Sequence, residues 1–335
     1  MKMSFVSAAG FVSCISCAAL VVACGNDSVR ATNETESRVT ISGGKNAAGL
    51  APAGITRSTI ALANNADFYN DSLNHRSAYC SGVVLTKNLI LTAAHCAQDL
   101  GKTRYLASFA TDMKTARKNT AALTREISQA IKHPGYPDVV EHRVGYDMVT
   151  NAFIDSPDKW MAANPGKAPH DIAILYFKGG LPEGFEPVKM AAQDEFSTDV
   201  TLAGFGVTSV SNISDTGVLR FVDGVKAKKP EGDAASRNFI MTGKTVDVSD
   251  MAKGARPLGA CPGDSGGPSF ISKDGALLLS GILSLGESER LTDTTSWSYC
   301  GGHKTGATER DFNVYIDVRA YSGWINETIA AFADK

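Results

Sequence analysis

Cys261-Pro262-Gly263-Asp264-Ser265-Gly266-Gly267-Pro268 is the most informative stretch of this 335-residue chain. A serine hydroxyl is a poor nucleophile until a base takes its proton and hydrogen-bond donors stabilise the oxyanion that follows. Glycines on both sides of Ser265 let backbone N–H groups turn towards one point, which such a site requires. Taken alone, the string also fits a glycine-rich turn. What separates the two readings is whether a base and an orienting carboxylate stand elsewhere in the chain.

Upstream, Cys80-Ser81-Gly82-Val83-Val84-Leu85-Thr86-Lys87-Asn88-Leu89-Ile90-Leu91-Thr92-Ala93-Ala94-His95-Cys96 carries two aliphatic runs around Thr86-Lys87-Asn88. This is the pattern of a β-hairpin, and it leaves His95 just past a strand end. Asp171 directly precedes a strand-length apolar run over 172–177, which Gly179-Gly180-Leu181-Pro182 breaks, so it too stands at a strand mouth. Residues 277–285 and 312–318 read as further strands, the latter with Val314, Ile316 and Val318 on one face. Residues 321–332 form the one convincing helix, carrying Trp324, Ile325, Ile329 and Phe332 towards a core. The strands fall into two groups on either side of the Gly/Pro-rich stretch 178–188, which fits two β-barrels of similar size. Between His133 and Asp171 runs a long polar segment with Pro134, Pro137, Pro157, Pro165 and Pro169, the mark of a functional or mobile loop.

Composition agrees with a globular, all-β chain: 43% hydrophobic, 20% charged, 32 Gly, and short apolar runs split by Gly, Asn, Ser and Pro. A net charge of -2 without a basic block gives no electrostatic reason to expect nucleic acid as a partner. Lys2 followed by an uncharged apolar stretch over 5–23 reads as a targeting signal, outside the folded domain. Its end, Leu20-Val21-Val22-Ala23-Cys24, resembles the lipobox of bacterial lipoproteins, which would make Cys24 the lipidated first residue of the mature chain. An ordinary cleaved signal or a signal anchor is the other reading. Of seven cysteines, Cys14, Cys17 and Cys24 fall in this segment, leaving Cys80, Cys96, Cys261 and Cys300. An even remainder suits two disulfides in an exported protein, with three pairings open. No Cys-x-x-Cys or His-rich spacing supports a metal site.

Thr92-Ala93-Ala94-His95-Cys96, Asp171-Ile172-Ala173-Ile174-Leu175 and the Ser265 string together resemble the chymotrypsin-like, trypsin-fold serine peptidases, the standard case of a Ser-His-Asp triad. They occur in that family's order, His then Asp then Ser. An α/β-hydrolase runs Ser, Asp, His; it would need Asp274 or Asp293 with His303, and no strand-helix alternation supports it. The resemblance implies two packed six-stranded antiparallel Greek-key barrels with a C-terminal α-helix. It also implies a serine endopeptidase working through an acyl-enzyme without a cofactor, with a protein or peptide as substrate.

By the same resemblance Ser265 is the nucleophile, His95 the general base and later acid, and Asp171 the group that holds the His95 tautomer. The N–H groups of Gly263 and Ser265 form the oxyanion hole. Ser284, in Ser284-Leu285-Gly286, stands beside the aspartate, and its stretch pairs with substrate backbone as an added strand. Cys80 pairs with Cys96 and Cys261 with Cys300. Ala203-Gly204-Phe205-Gly206 and Tyr321-Ser322-Gly323-Trp324-Ile325 add to the match, which covers most of the chain after residue 40. Extra length lies at 134–169, around 244–258 and at 301–312, all expected as rim loops.

Family zymogens are cut before an Ile-Val-Gly-Gly-like sequence, and the new ammonium pairs with the aspartate before the nucleophile. Here these are Ile41-Ser42-Gly43-Gly44 and Asp264. Thr40 precedes Ile41 where a basic residue is usual, and Arg38-Val39 offers an alternative cut. The expected organisation is a signal over 1–23, a lipidated tether or propeptide over 24–40 and a peptidase domain over 41–335. Within that domain barrel one spans about 41–185, barrel two about 186–320 and the helix 321–335. Lipid on Cys24 and a free amine at Ile41 cannot share one intact chain, so activation by another protease would release the enzyme from the cell envelope. The resemblance further implies that Gly259, six residues before Ser265, lines the floor of the primary pocket, with Gly286 at its mouth and Asn313 at a wall usually taken by glycine. With no carboxylate at the floor, an uncharged, apolar P1 side chain is expected, unless Glu309 or Asp311 turns inward. A monomer is expected, without a cofactor; no EF-hand-like loop indicates calcium, although family members can bind a structural calcium in a surface loop. Two competing readings are a binding protein on the same fold and a lipid-anchored esterase. The intact His95, Asp171 and Ser265 set opposes the first; the motif order and two cysteine pairs oppose the second.

Overall fold

Short aliphatic runs separated by Gly, Asn and Asp turns cannot reach helical length, and here they fold as β-strands. A computed structural model describes residues 44–68, 78–97, 104–136, 146–147, 152–153, 170–208, 216–229, 239–242, 259–289 and 310–333. All belong to one unit of the chain, Ser37–Lys335. In the first half the strands are β1 (Lys45–Asn46), β2 (Thr59–Asn64), β3 (Cys80–Val84), β4 (Leu89–Thr92), β5 (Tyr105–Ser108), β6 (Thr124–Lys132), β7 (Tyr146–Asp147), β8 (Ala152–Phe153) and β9 (Ala173–Phe177). The second half carries β10 (Lys189–Met190), β11 (Asp199–Gly204), β12 (Arg220–Lys228), β13 (Phe239–Thr242), β14 (Pro268–Lys273), β15 (Ala276–Glu289) and β16 (Arg310–Asp317). The chain ends in a helix, Ser322–Ala331.

Six strands close a barrel in the order β2-β3-β4-β9-β6-β5. Closure leaves no edge to pair with another chain. Strands β3, β4, β5 and β9 are buried along their whole length, so apolar residues dominate them, with Ser81, Thr92 and Ser108 as buried polar exceptions. Strand β6 mixes buried and exposed positions because one of its faces meets solvent. On the barrel strands Ile60, Leu62, Val83, Ile90, Ile174 and Phe177 are all fully buried. The expected hairpin is β3 and β4, paired Val83 to Leu91 and Val84 to Ile90, and the Cys80–Cys96 disulfide ties its start to the turn after it.

The second group forms an eight-stranded sheet in the order β1-β12-β11-β14-β15-β16-β13, with β10 added on β15. A short ladder, Ala227 with Thr242 and Lys228 with Met241, draws β12 and β13 together. The all-β architecture with a C-terminal helix is as expected. The second group departs from a closed barrel of six by carrying two extra two-residue strands. One of them, β10, pairs parallel to β15, so this sheet is not purely antiparallel. Both arise where connecting chain lies along an available strand: Lys45–Asn46 joins the second sheet rather than the first barrel.

The last turn before the C-terminal helix is held by a buried ion pair. Arg319, 2% exposed, donates from Nε to Asp317 Oδ1 and from a terminal nitrogen to Asp317 Oδ2, both at 2.6 Å. Its remaining terminal nitrogen donates to the Glu195 carbonyl. These bonds lock the helix start against the second half of the chain, while Phe332, just past the helix, packs on Tyr176 of β9 with ring centroids 5.1 Å apart. No helix among the described residues is long and apolar enough to cross a membrane. Phe177 is fully buried and packs on Phe109, ring centroids 5.5 Å apart. Phe177→Ala should therefore destabilise the protein by about 3–5 kcal/mol, read as a lower urea midpoint with an unchanged slope.

Candidate active site

Two strand ends bring the charged groups together. Strands β4 and β9 pair antiparallel with Thr92 opposite Ala173, so the residues just after β4 and just before β9 meet. His95 lies in the 3-10 turn Ala94–Ala97, and Asp171 lies two residues before β9. Asp171 Oδ1 accepts the His95 backbone N–H at 2.9 Å, and Oδ2 stands 2.7 Å from His95 Nδ1. Ser284, from β15 of the other sheet, donates its hydroxyl to Oδ2 at 2.7 Å. An ionised carboxylate only accepts, so Nδ1 carries the proton and Nε2 keeps its lone pair.

Burial opposes charge on both partners, yet their mutual attraction wins. Burial pushes the His95 pKa down, but the Asp171 charge and hydrogen bond raise it overall above 6.5. Burial likewise pushes Asp171 up, and the His95 charge, the His95 and Ser284 side chains and the His95 N–H bring it below 3.8. The pair's contribution to stability is thus complete below pH 6.5 on the histidine side and fades as pH rises through the folded His95 value. On the aspartate side it is complete above pH 3.8 and is lost as pH falls through the folded Asp171 value.

The Ser265 loop is shaped by backbone, and two glycines are indispensable to it. Gly263 has φ of +95° and Gly266 φ of +76°, both in the left-handed region. A Cβ on Gly266 would come within 2.0 Å of Thr92 Oγ1, and one on Gly263 within 2.8 Å of Gly206 Cα. The N–H groups of Asp264, Gly266 and Gly267 are committed to the carbonyls of Cys261, Leu283 and Asp264 at 3.0, 2.8 and 2.8 Å. Among the described residues no carbonyl accepts from Gly263 or Ser265, so these two N–H groups stay open, as an oxyanion hole needs. Asp264, 1% exposed, accepts from Gly206 N at 2.7 Å and Cys261 N at 2.8 Å.

Ser265 itself is brought beside the histidine turn: Cys96 Sγ lies 3.6 Å from its carbonyl oxygen. Among the described residues no hydrogen bond joins its hydroxyl to His95, a contact that often forms only with substrate bound. Gly259, Gly286 and Asn313 also meet. Gly286 and Asn313 are paired across β15 and β16, and Asn313 Oδ1 accepts the Ala260 N–H at 2.9 Å. A Cβ on Gly259 would lie 2.7 Å from that same oxygen. Cys261 is disulfide-bonded; its expected partner Cys300 lies outside the described residues, as do Cys24 and Ile41 and most of the three expected insertions. Among the described residues the one cluster of metal-ligating atoms is Cys80, His95 and Cys96. Both of its sulfurs are spent in the disulfide.

Sequence reasoning missed Ser81, the strut of the site. Fully buried on β3, it donates its hydroxyl to the Gly263 carbonyl at 2.9 Å, accepts the Phe205 N–H at 3.0 Å and donates its own N–H to the Ser265 carbonyl at 2.7 Å. Thr92 in turn donates to the Ser81 carbonyl at 2.8 Å. A small polar residue inside an otherwise apolar strand, directly after Cys80, was the available signal. His170 and His133 were also passed over, although His170 adjoins Asp171 in sequence.

A sequence model of the family described as trypsin matches residues 61–325. The chain belongs to the trypsin family. Its trypsin-family region holds His95, Asp171, Ser265, Ser284 and Asn313, and runs from β2 into the C-terminal helix. The chain is similar to Trypsin Blo t 3 of Blomia tropicalis, 27% identical over 264 residues that cover 77% of this chain and 79% of that protein. It is also similar to CLIP domain-containing serine protease B15 of Anopheles gambiae, 23% identical over 279 residues, or 78% of this chain and 64% of that protein.

Gly266→Ala should abolish reactivity at Ser265 while leaving the barrel folded, because the new methyl must displace the Thr92–Ser81 contact; labelling of Ser265 against a circular dichroism melt checks this. Asp171→Asn should remove the stabilisation that the wild-type protein gains on moving from about pH 8 to pH 6, measured as the change in urea midpoint between the two.

Proposed function

We propose that this protein is an exported serine endopeptidase that hydrolyses peptide bonds through an acyl-enzyme. The buried Asp171 carboxylate, holding His95 through both its ring and its backbone N–H, is the observation that carries this reading. Protein or peptide substrates follow from the trypsin family and from the names of its relatives.

In the proposed mechanism Ser265 Oγ attacks the scissile carbonyl while His95 Nε2 takes its proton. Asp171 stabilises the imidazolium that forms and keeps Nδ1 protonated. The open N–H groups of Gly263 and Ser265 receive the oxyanion, a donor pair of which each member is typically worth about 3 kcal/mol in the transition state. His95 then protonates the leaving amine, the amine departs, and water attacks the acyl-enzyme by the same relay in reverse. No cofactor or metal is required for any step.

Activation follows from Asp264. Both its oxygens are turned to backbone N–H groups of its own surroundings, so a new ammonium at Ile41, or at Val39 from the alternative cut, would add a full positive charge beside a buried carboxylate. In this reading Cys24 carries lipid in the precursor, and cleavage frees the active enzyme from the cell envelope. The primary pocket is narrowed by the Asn313 carboxamide between Gly259 and Gly286, which favours an uncharged P1 side chain.

A fluorophosphonate probe should label the processed protein and fail to label Ser265→Ala; a correctly processed, folded protein that stays unlabelled would move the function to binding without turnover. Because the base must be neutral and its pKa is raised, the acid limb of kcat/KM should fall at a pH above 6.5. A rate profile on a peptide substrate reads this directly, and a limb at or below the free histidine value would contradict it.

A further inference from the structure

The mechanism leaves one cluster of titratable side chains unused. His170, the residue before Asp171, has φ of +41°, in the left-handed region that residues with a Cβ enter only against steric resistance. The Ile172 N–H returns to the His170 carbonyl at 2.7 Å, so Asp171 sits at the apex of a three-residue turn. Three contacts hold His170 in that conformation. Its Nδ1 is 2.9 Å from the Tyr321 hydroxyl. Its ring stacks on His133 with centroids 4.7 Å apart and planes 17° from parallel. The backbone of Gly135 closes on its ring so tightly that a Cβ there would lie 2.6 Å from His170 Cδ2.

His133 is itself anchored at the end of β6. Its N–H donates to the Ile172 carbonyl at 3.0 Å, and its Nδ1 accepts the Gly135 N–H at 3.1 Å. Tyr321 and Trp324 meet its ring edge-on at 5.2 and 5.1 Å. Both flanks of Asp171, residues 170 and 172, are thereby stapled to β6, and residue 170 also to the C-terminal segment. Among the described residues the titratable groups packed on His170 are His133 and Tyr321. Burial holds both imidazoles below the ordinary histidine value, with the neighbouring His170 adding to this for His133. They stack as neutral rings.

We propose that His170 is a positioning residue for Asp171: the left-handed turn, locked by Tyr321 and His133, aims the carboxylate at His95. It acts through Asp171 and touches no reacting atom. The proposal rests on His95 being the base and Asp171 its partner. A turn free to relax would let the carboxylate drift from Nδ1, weakening the imidazolium at the moment it forms.

The test compares His170→Ala, His170→Asn and Tyr321→Phe in the processed protein, by NMR titration of the His95 ring and by steady-state kinetics on a peptide. In His170→Ala, kcat should fall by at least about tenfold with KM nearly unchanged, and the His95 midpoint should fall by about half a pKa unit or more. His170→Asn should restore both, because asparagine enters the left-handed region readily and offers Oδ1 where Nδ1 stood. Tyr321→Phe removes only the hydroxyl contact and should give a smaller shift in the same direction, which keeps the test open if His170→Ala does not fold. A folded His170→Ala or Tyr321→Phe with lower thermal stability but an unmoved His95 midpoint would overturn the proposal, as would His170→Asn behaving like His170→Ala. The NMR titration needs no turnover, so a protein with the expected midpoints but no peptidase activity would sink the proposed function and leave the positioning role standing.

Discussion

A carboxylate taken out of water is unfavourable by several kcal/mol unless every oxygen finds a donor, and Asp171 is 5% exposed. The arrangement of the molecule follows from meeting that demand. Two donors come from His95, at the end of β4 in the closed barrel, and one from Ser284, on β15 of the second sheet. Neither β unit can satisfy Asp171 alone. The His95–Asp171 pair therefore stands where the two β units meet, and because the ionised Asp171 carboxylate can only accept, the proton between them sits on His95 Nδ1.

The second constraint is steric. The Ser265 loop passes so close to β3, β4 and the strand ending at Gly204 that side chains at Gly266, Gly263 and Gly204 have no room, a Cβ on Gly204 lying 2.2 Å from Asp264 Oδ1. Three of the loop's N–H groups reach the carbonyls of Cys261, Leu283 and Asp264, and among the described residues no carbonyl accepts from those of Gly263 and Ser265. Ser81 completes the contact with three hydrogen bonds, so a residue of the first barrel sets the shape of a loop carried by the second sheet. Closure of the first barrel and geometry of the Ser265 loop are in this sense one feature.

Much of this was legible from residue types. Strand ends at His95 and Asp171 follow from where aliphatic runs stop, and the hairpin over 80–92 from Thr86-Lys87-Asn88. The two-residue strands β1 and β10 were not legible, because so short a segment has no periodicity; each is a strand only because a neighbour lies alongside it. The role of Ser81 was hidden for a similar reason. The three partners of its hydroxyl and N–H are over a hundred residues away in sequence, at Phe205, Gly263 and Ser265.

By itself the sequence determined the β class, the order His95, Asp171, Ser265 and the glycines around Ser265, since these depend on local steric and chemical properties of single residues. Only the tertiary structure decided which partners those residues take: that Ser81 braces the Ser265 loop, that Asn313 reaches Ala260 beside Gly259, and that His170, His133 and Tyr321 gather behind the aspartate. Such contacts join distant segments through packing, and no spacing within one segment encodes the distance between two of them.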